Sequence, residues 1–212
     1  MKRIYLDNAA STPMDPEVFE YMLPILRDYH GNPSSVHDHG RRLRAVIEIA
    51  RKEIASLLGA AASEIFFTSG GTEADNIAIK CTVEGYQIQH IISTRLEHHA
   101  VMHPIEGCEK KGVQVTWLNV DQEGRPDLEQ LEAILEQENR PTLVSLMHAN
   151  NENGTLLDFE RVASICDAHG AIFHSDTVQS VANLPFNLSL IPHLLRILST
   201  YSQFLLESVQ LL

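Results

Sequence analysis

What most limits the fold of this 212-residue chain is a repeated exchange of two hydrophobic periods. Short apolar runs at 64–68, 90–93, 112–118, 143–147 and 171–174 have the length of buried strands. Between them, apolar residues recur at helical spacing. Asp15 and Pro16 suit an N-cap and first turn, with an apolar stripe to about Leu26. Leu43, Val46, Ile47, Ala50, Ile54, Leu57 and Leu58 form a second stripe that Gly59 stops. A helix is predicted over 72–86, another around Leu128, Leu131, Ile134 and Leu135, and a last one from an Asp158 cap to about Gly170. Strands that alternate with helices predict an α/β fold with a mostly parallel sheet. Ligands of such sheets bind at the carboxyl ends of the strands. The loops after Phe67, Ser93, Met147 and His174 are therefore where chemistry is expected.

Composition narrows the partners. The net charge of −12 argues against nucleic acid and against anionic membrane surfaces, both of which need clustered Lys and Arg. Cys81, Cys108 and Cys166 are odd in number and far apart, as expected of reduced thiols in a cytoplasmic compartment. The first seven residues meet charge before any apolar core, so no secretion signal is expected. After about Ser189 the pattern changes. Residues 190–212 are rich in Leu and hold one Arg, one Glu, no Gly and no Asp. A helix over 194–206 is the expected form, too interrupted by polar residues to be read as a membrane span.

Several strand ends carry unusual residues. In Ser69-Gly70-Gly71-Thr72, two glycines permit close backbone approach, and the following helix start with the Thr72 hydroxyl suits a phosphate. The competing reading is a plain turn with Thr72 as N-cap. The turn is neither of the glycine patterns that bind nucleotides. His98 lies just past a strand end, where it can stack on a planar ring or move protons, or simply be a surface histidine. His99 and His103 are four apart on one helix face, but no third metal ligand accompanies them, so no metal is expected. Asn150 begins an Asn-Asn-Glu-Asn-Gly stretch that makes either a turn or an amide contact to a ligand. Asp176 follows a buried strand, where a bare carboxylate needs a partner. A protonated pyridine nitrogen is one such partner, and the N-cap of a following helix is the alternative role. Gln179 lies three residues on, within reach of an oxygen of the same ring.

Six stretches in order resemble the NifS/IscS-type cysteine desulfurases, in the class-V aminotransferase group of fold-type I pyridoxal phosphate (PLP) enzymes. They are Tyr5-Leu6-Asp7-Asn8-Ala9-Ala10-Ser11-Thr12-Pro13, Gly31-Asn32-Pro33-Ser34-Ser35-Val36-His37, Phe67-Thr68-Ser69-Gly70-Gly71-Thr72-Glu73-Ala74-Asp75-Asn76, Glu97-His98-His99-Ala100-Val101, Met147-His148-Ala149-Asn150-Asn151-Glu152 and His174-Ser175-Asp176-Thr177-Val178-Gln179-Ser180. The resemblance implies the three-layer, mostly parallel sheet of the PLP-dependent transferase large domain, incomplete at the C-terminus. Residues 1–14 would begin the small domain, 15–189 would be the large domain and 190–212 a divergent tail. It implies pyridoxal 5′-phosphate as cofactor. Gly71 and Thr72 would hold its phosphate, His98 would stack on the ring and shuttle protons, Asn150 and Gln179 would bond its oxygen substituents, and Asp176 its ring nitrogen. It further implies conversion of L-cysteine to L-alanine, with sulfur passed to an enzyme persulfide and on to acceptor or scaffold proteins, in a homodimer when full length. Selenocysteine lyases share these motifs. The family continues to a Ser-x-His-Lys segment whose lysine holds the cofactor as a Schiff base, and to a loop with the persulfide cysteine. Here no lysine follows Lys111, and Cys81, Cys108 and Cys166 do not fall at that loop. The expectation is therefore a truncated or frame-shifted chain, inactive by itself, or a PLP-binding remnant that pairs with a full-length subunit.

Overall fold

The computed structural model describes residues 4–185, 187–188 and the backbone of 196–199. Two compact units divide them: one holds 4–67, 182–185 and 187–188, the other 68–181 and 196–199.

The first unit contains α1 (Pro16–Asp28) and α2 (Asp38–Leu58). Asp15 caps α1 by accepting from Glu17 N, with Pro16 in the first turn. Gly59 ends α2 in the left-handed region at φ 68°, a conformation that costs glycine little. The run 64–68 is not the buried strand its composition predicts. Glu64 ends a 3-10 turn (Ala62–Glu64), residues 65–68 join no strand, and Phe66 is 82% exposed. The Ile65 carbonyl, which a strand would give to a neighbour, accepts instead from Arg51 Nη1, and the Arg51 guanidinium lies 4.7 Å from the Phe67 ring centre. An apolar run becomes a strand only where another strand offers a ladder.

The second unit is the expected α/β layer structure. Its elements are α3 (Gly71–Gly85), β1 (His90–Ser93), α4 (His99–Glu109), β2 (Gln114–Trp117), α5 (Leu128–Gln137), β3 (Thr142–Ser145), α6 (Phe159–Ala168), β4 (Ile172–Asp176) and β5 (Arg196–Ser199). The strands pair in parallel in the order β2-β1-β3-β4-β5. Over 196–199 the backbone is thus a strand, where a helix was expected. The rest of that predicted helix lies outside the described residues.

Register explains both faces. Ile91, Leu143 and Ile172 are partners across the sheet and pack with Ile79 of α3 and Val101, Ile105 and Cys108 of α4. Their neighbours Ile92, Val144 and Phe173 point the other way, where Phe159 of α6 meets Phe173 at 5.0 Å between ring centres. Helices on both faces bury the strands completely, which is why β1, β3 and β4 read as continuous apolar runs. No helix among the described residues is long and apolar enough to cross a membrane.

Candidate functional site

The carboxyl ends of β1, β3 and β4 and the first turn of α3 carry the candidate residues, all within the second unit. Gly71 and Thr72 are the first two residues of α3. Gly70, the N-cap, has no side chain to accept from the first turn, so the positive end of the helix dipole is left for an acceptor from elsewhere. Thr68 Oγ1 donates to Gly70 O at 3.1 Å. Ser69 N–H donates to Glu73 Oε2 at 2.5 Å, which holds the Glu73 carboxyl below its usual range. Gly71 is buried and Thr72 exposed.

His98 is the N-cap of α4. Its Nδ1 accepts from Ala100 N at 3.1 Å, so the proton of the neutral ring sits on Nε2. The ring is exposed, 6.0 Å from that of His99. His99 and His103 stack at 5.2 Å, and no cluster of three or more metal-ligating side chains occurs among the described residues.

Asn150 is more occupied than a free ligand-binding amide would be. Its Oδ1 accepts from Glu152 N at 2.8 Å and Asn153 N at 3.1 Å, closing a turn that Gly154 completes at φ 74°. Its Nδ2 donates to Leu96 O at 2.9 Å and lies 3.1 Å from Met147 Sδ. Asn150 thus ties the loop after β3 to the loop after β1.

Asp176 ends β4 and is 6% exposed. Its Oδ1 accepts from Val178 N at 2.9 Å. A turn follows, closed by Ser180 N to Thr177 O, so the alternative of a helix cap does not hold. Burial, then the nearby charge of Asp75, push the Asp176 carboxyl up to about 6. The Val178 N–H and His174 pull the other way. Gln179 lies in the same turn, half-buried.

Three groups at this end of the sheet are not among the expected site residues. Asp75 is 1% exposed on α3, and His174 Nε2 lies 3.4 Å from its Oδ1. Glu97, also buried, accepts at Oε1 from Met147 N at 3.0 Å and from Thr94 Oγ1 at 3.2 Å. Burial pushes the Glu97 carboxyl up to about 8, so it is a neutral acid at pH 7. The signal for Asp75 was its helical row with Ala78, Ile79 and Thr82, all buried. The signal for His174 was its strand alternation with Ile172 and Asp176. Of the thiols, Cys108 and Cys166 are buried, and burial pushes Cys166 up to about 12, far from a nucleophile.

The class-V aminotransferase family pattern matches residues 4–192. The cysteine desulfurase IscS of Dictyoglomus turgidum is 45% identical over 191 residues, covering 89% of this chain and 48% of that protein. The putative cysteine desulfurase IscS 1 of Bacillus subtilis is 45% identical over 190 residues, covering 89% and 50%. Among solved structures, a NifS-like protein superposes with a TM-score of 0.83 at 38% identity, covering 88% of this chain and 52% of that one. SspA in complex with cysteine gives 0.84 at 33% identity, covering 94% and 57%. The chain spans about half the length of the curated relatives it matches.

Proposed function

We propose, from the premise that this chain belongs to the class-V aminotransferase family, that it carries the pyridoxal 5′-phosphate-binding part of a cysteine desulfurase. The observation that supports this most is Asp176, a buried carboxylate at a strand end that keeps its charge only against burial and a like-charged neighbour. A cationic ring nitrogen is the partner that such a group lacks, and the uncapped first turn of α3 suits a phosphate dianion. The donor set therefore fits the cofactor. Bound there, PLP would supply an electron sink.

Each residue then has a task of its own. The Gly71 and Thr72 amides and the Thr72 hydroxyl hold phosphate. Asp176 would hold the ring through its nitrogen. His98, with Nδ1 committed to Ala100 N, presents Nε2 as the atom that gives or takes a proton. Gln179 and Asn150 would bond the ring's oxygen substituents. One Asn150 N–H is spent on Leu96 O, so a ligand oxygen would compete only with the Met147 thioether, a weak acceptor, for the other. Residues 1–14 begin the small domain, 15–189 form the large domain and 190–212 a divergent tail. Turnover of L-cysteine to L-alanine, sulfur transfer through a persulfide to acceptor proteins for iron–sulfur cluster or thio-cofactor synthesis, and a homodimer belong in this reading to the whole protein in the cytoplasm. Within these 212 residues no lysine follows Lys111, and Lys80 is bonded to Asn76 Oδ1 at 2.6 Å.

The test is a PLP titration followed by absorbance and by the fluorescence of Trp117, the single tryptophan. A charge-assisted hydrogen bond contributes roughly 1.5–3 kcal/mol, so Asp176→Ala is expected to weaken binding about ten- to hundred-fold. Thr72→Ala loses less, because backbone amides of the same turn remain. Borohydride is expected to trap no single lysine. Equal affinity of Asp176→Ala and the parent chain would remove the reading.

A further inference from the structure

Below Asp176 runs a polar line that binding of the cofactor does not use. Ser93 of β1, Ser145 of β3 and His174 of β4 are register partners across the sheet. They lie on the face covered by α3 and α4, since each is two residues on from Ile91, Leu143 or Ile172 of that core. All three are completely buried. Ser93 Oγ donates to Ser145 O at 2.8 Å, and Ser145 Oγ lies 2.9 Å from His174 Nδ1. His174 Nε2 meets Asp75 Oδ1 at 3.4 Å, and no hydrogen bond among the described residues reaches either Asp75 carboxylate oxygen. Asp75 thus enters the core from the phosphate-side helix with the His174 imidazole as its ion-pair partner, an opposite charge when that ring is protonated. Asp176 stands on the same face as His174, one pleat further along β4, about 7 Å away.

We propose that Asp75 and His174, braced by Ser145, are a positioning pair that sets the charge of Asp176: the imidazole offsets a buried carboxylate next to it and so keeps Asp176 ionised for a cationic ring nitrogen. The proposal rests on the reading of Asp176 as the ring-nitrogen partner. The charges around Asp176 come from each neighbouring element. Asp75 faces it from α3 and favours its neutral form. His174, on its own strand, favours the ionised form. Glu97, from the loop after β1, is a neutral acid at pH 7. From the end of β3, His148 donates its backbone N–H to Asp176 O at 2.9 Å, and burial lowers the affinity of its imidazole for a proton. On the β5 side, Ser199 is the register partner. The balance at Asp176 is therefore set by the Asp75 carboxyl and the His174 imidazole, which lie 3.4 Å apart.

Two substitutions separate this from a packing role. Asp75→Asn keeps the shape and removes the like charge. His174→Gln removes the imidazole and leaves two buried carboxyls without it. The readout is the side-chain carboxyl ¹³C titration of the aspartates in the ligand-free chain, with the pH dependence of PLP affinity in parallel. In Asp75→Asn the Asp176 midpoint is expected to fall by roughly one pH unit, the size of a removed neighbouring charge, and PLP binding to persist to correspondingly lower pH. In His174→Gln the Asp176 carboxyl is expected to titrate higher than in the parent, and PLP affinity to be lost at higher pH. Looser packing would admit water and move both variants down together, which would overturn the proposal. An unmoved Asp176 midpoint in Asp75→Asn would also overturn it, and that isosteric variant decides alone if His174→Gln does not fold. Carboxyl shifts of opposite sign without PLP binding at any pH would support the charge pair and sink the cofactor reading. PLP binding that depends on Asp176 with unmoved carboxyls would do the reverse.

Discussion

Glu97→Gln should stabilise this protein, by an amount that depends on pH. Glu97 Oε1 accepts from Met147 N and Thr94 Oγ1, while Oε2 is buried with no hydrogen-bond partner among the described residues. Such a carboxyl is tolerable as a neutral acid and costly as an anion. Burial raises it from 4.5 to about 8, so the folded chain holds a proton that the unfolded chain releases. Between those values the native state binds more protons, and stability from this group falls as pH rises. It is fully present below about 4.5 and lost by about 8. Over about 3.5 pH units, at about 1.4 kcal/mol each, the loss approaches 5 kcal/mol for a rigid loop. Glutamine keeps the acceptor oxygen for Met147 N and does not titrate. The assay is urea unfolding of parent and variant at pH 5, 6.5 and 8. The two should be close at pH 5, and the variant should gain by more than 1 kcal/mol per pH unit thereafter, levelling above pH 8. A stability difference that is the same at all three pH values would refute the neutral acid.

Glu138 presents the opposite sign. Arg140 and His90 bond its carboxylate at 2.5 and 2.6 Å and hold it well below the usual carboxylate range, Arg140 being the larger cause. Burial also lowers His90. Both groups contribute stability above their unfolded values that is lost on acidification, His90 below about 6.5 and Glu138 below about 4.5. Glu138→Gln should remove the lower step from a series of melting temperatures between pH 7.5 and 3.5, and an unchanged profile would count against the cluster. Leu143 is fully buried in the middle of the sheet, with Ile91 and Ile172 as register partners. Leu143→Ala should cost about 2–5 kcal/mol in chemical denaturation, and a loss under 1 kcal/mol would mean that the sheet face repacks freely.

Local signals were enough for most of the layers. Gly59, Asp15 and Asp158 punctuate helices because their roles depend on a turn of backbone, which neighbours in sequence determine. The runs at 90–93, 143–147 and 171–174 became strands because each found a parallel partner. The equally apolar run at 64–68 did not, and nothing in its own residues says that Arg51 would take its carbonyl. The site divides in the same way. Gly71, Thr72, His98, Asn150 and Asp176 stand at strand ends or helix starts, which hydrophobic period locates. Asp75, Glu97 and His174 are placed there by long-range packing, and Asn150 is tied to Leu96, 54 residues away.

The buried charges suggest why these residues belong together. Three carboxyls, Asp75, Glu97 and Asp176, are withdrawn from water at one end of a parallel sheet, each less than a tenth exposed. An arrangement of that kind is unfavourable unless every member is neutralised. Glu97 is neutralised by its own proton, and Asp75 has the His174 imidazole 3.4 Å away. Asp176 has one backbone N–H on Oδ1 and a carboxyl at about 6, so near neutral pH it holds its charge by a narrow margin. A cation at Asp176 would widen that margin, and by linkage the same cation would bind more tightly once Asp176 is ionised. The pair therefore sharpens with pH: affinity for a protonated ring nitrogen should rise through about pH 6 as Asp176 ionises and fall again where the ring nitrogen loses its own proton. In this light the buried imidazole and the neutral acid are not spare polar groups in a core. They decide that, of three carboxyls placed together, the one at the strand end is the one left to meet a ligand.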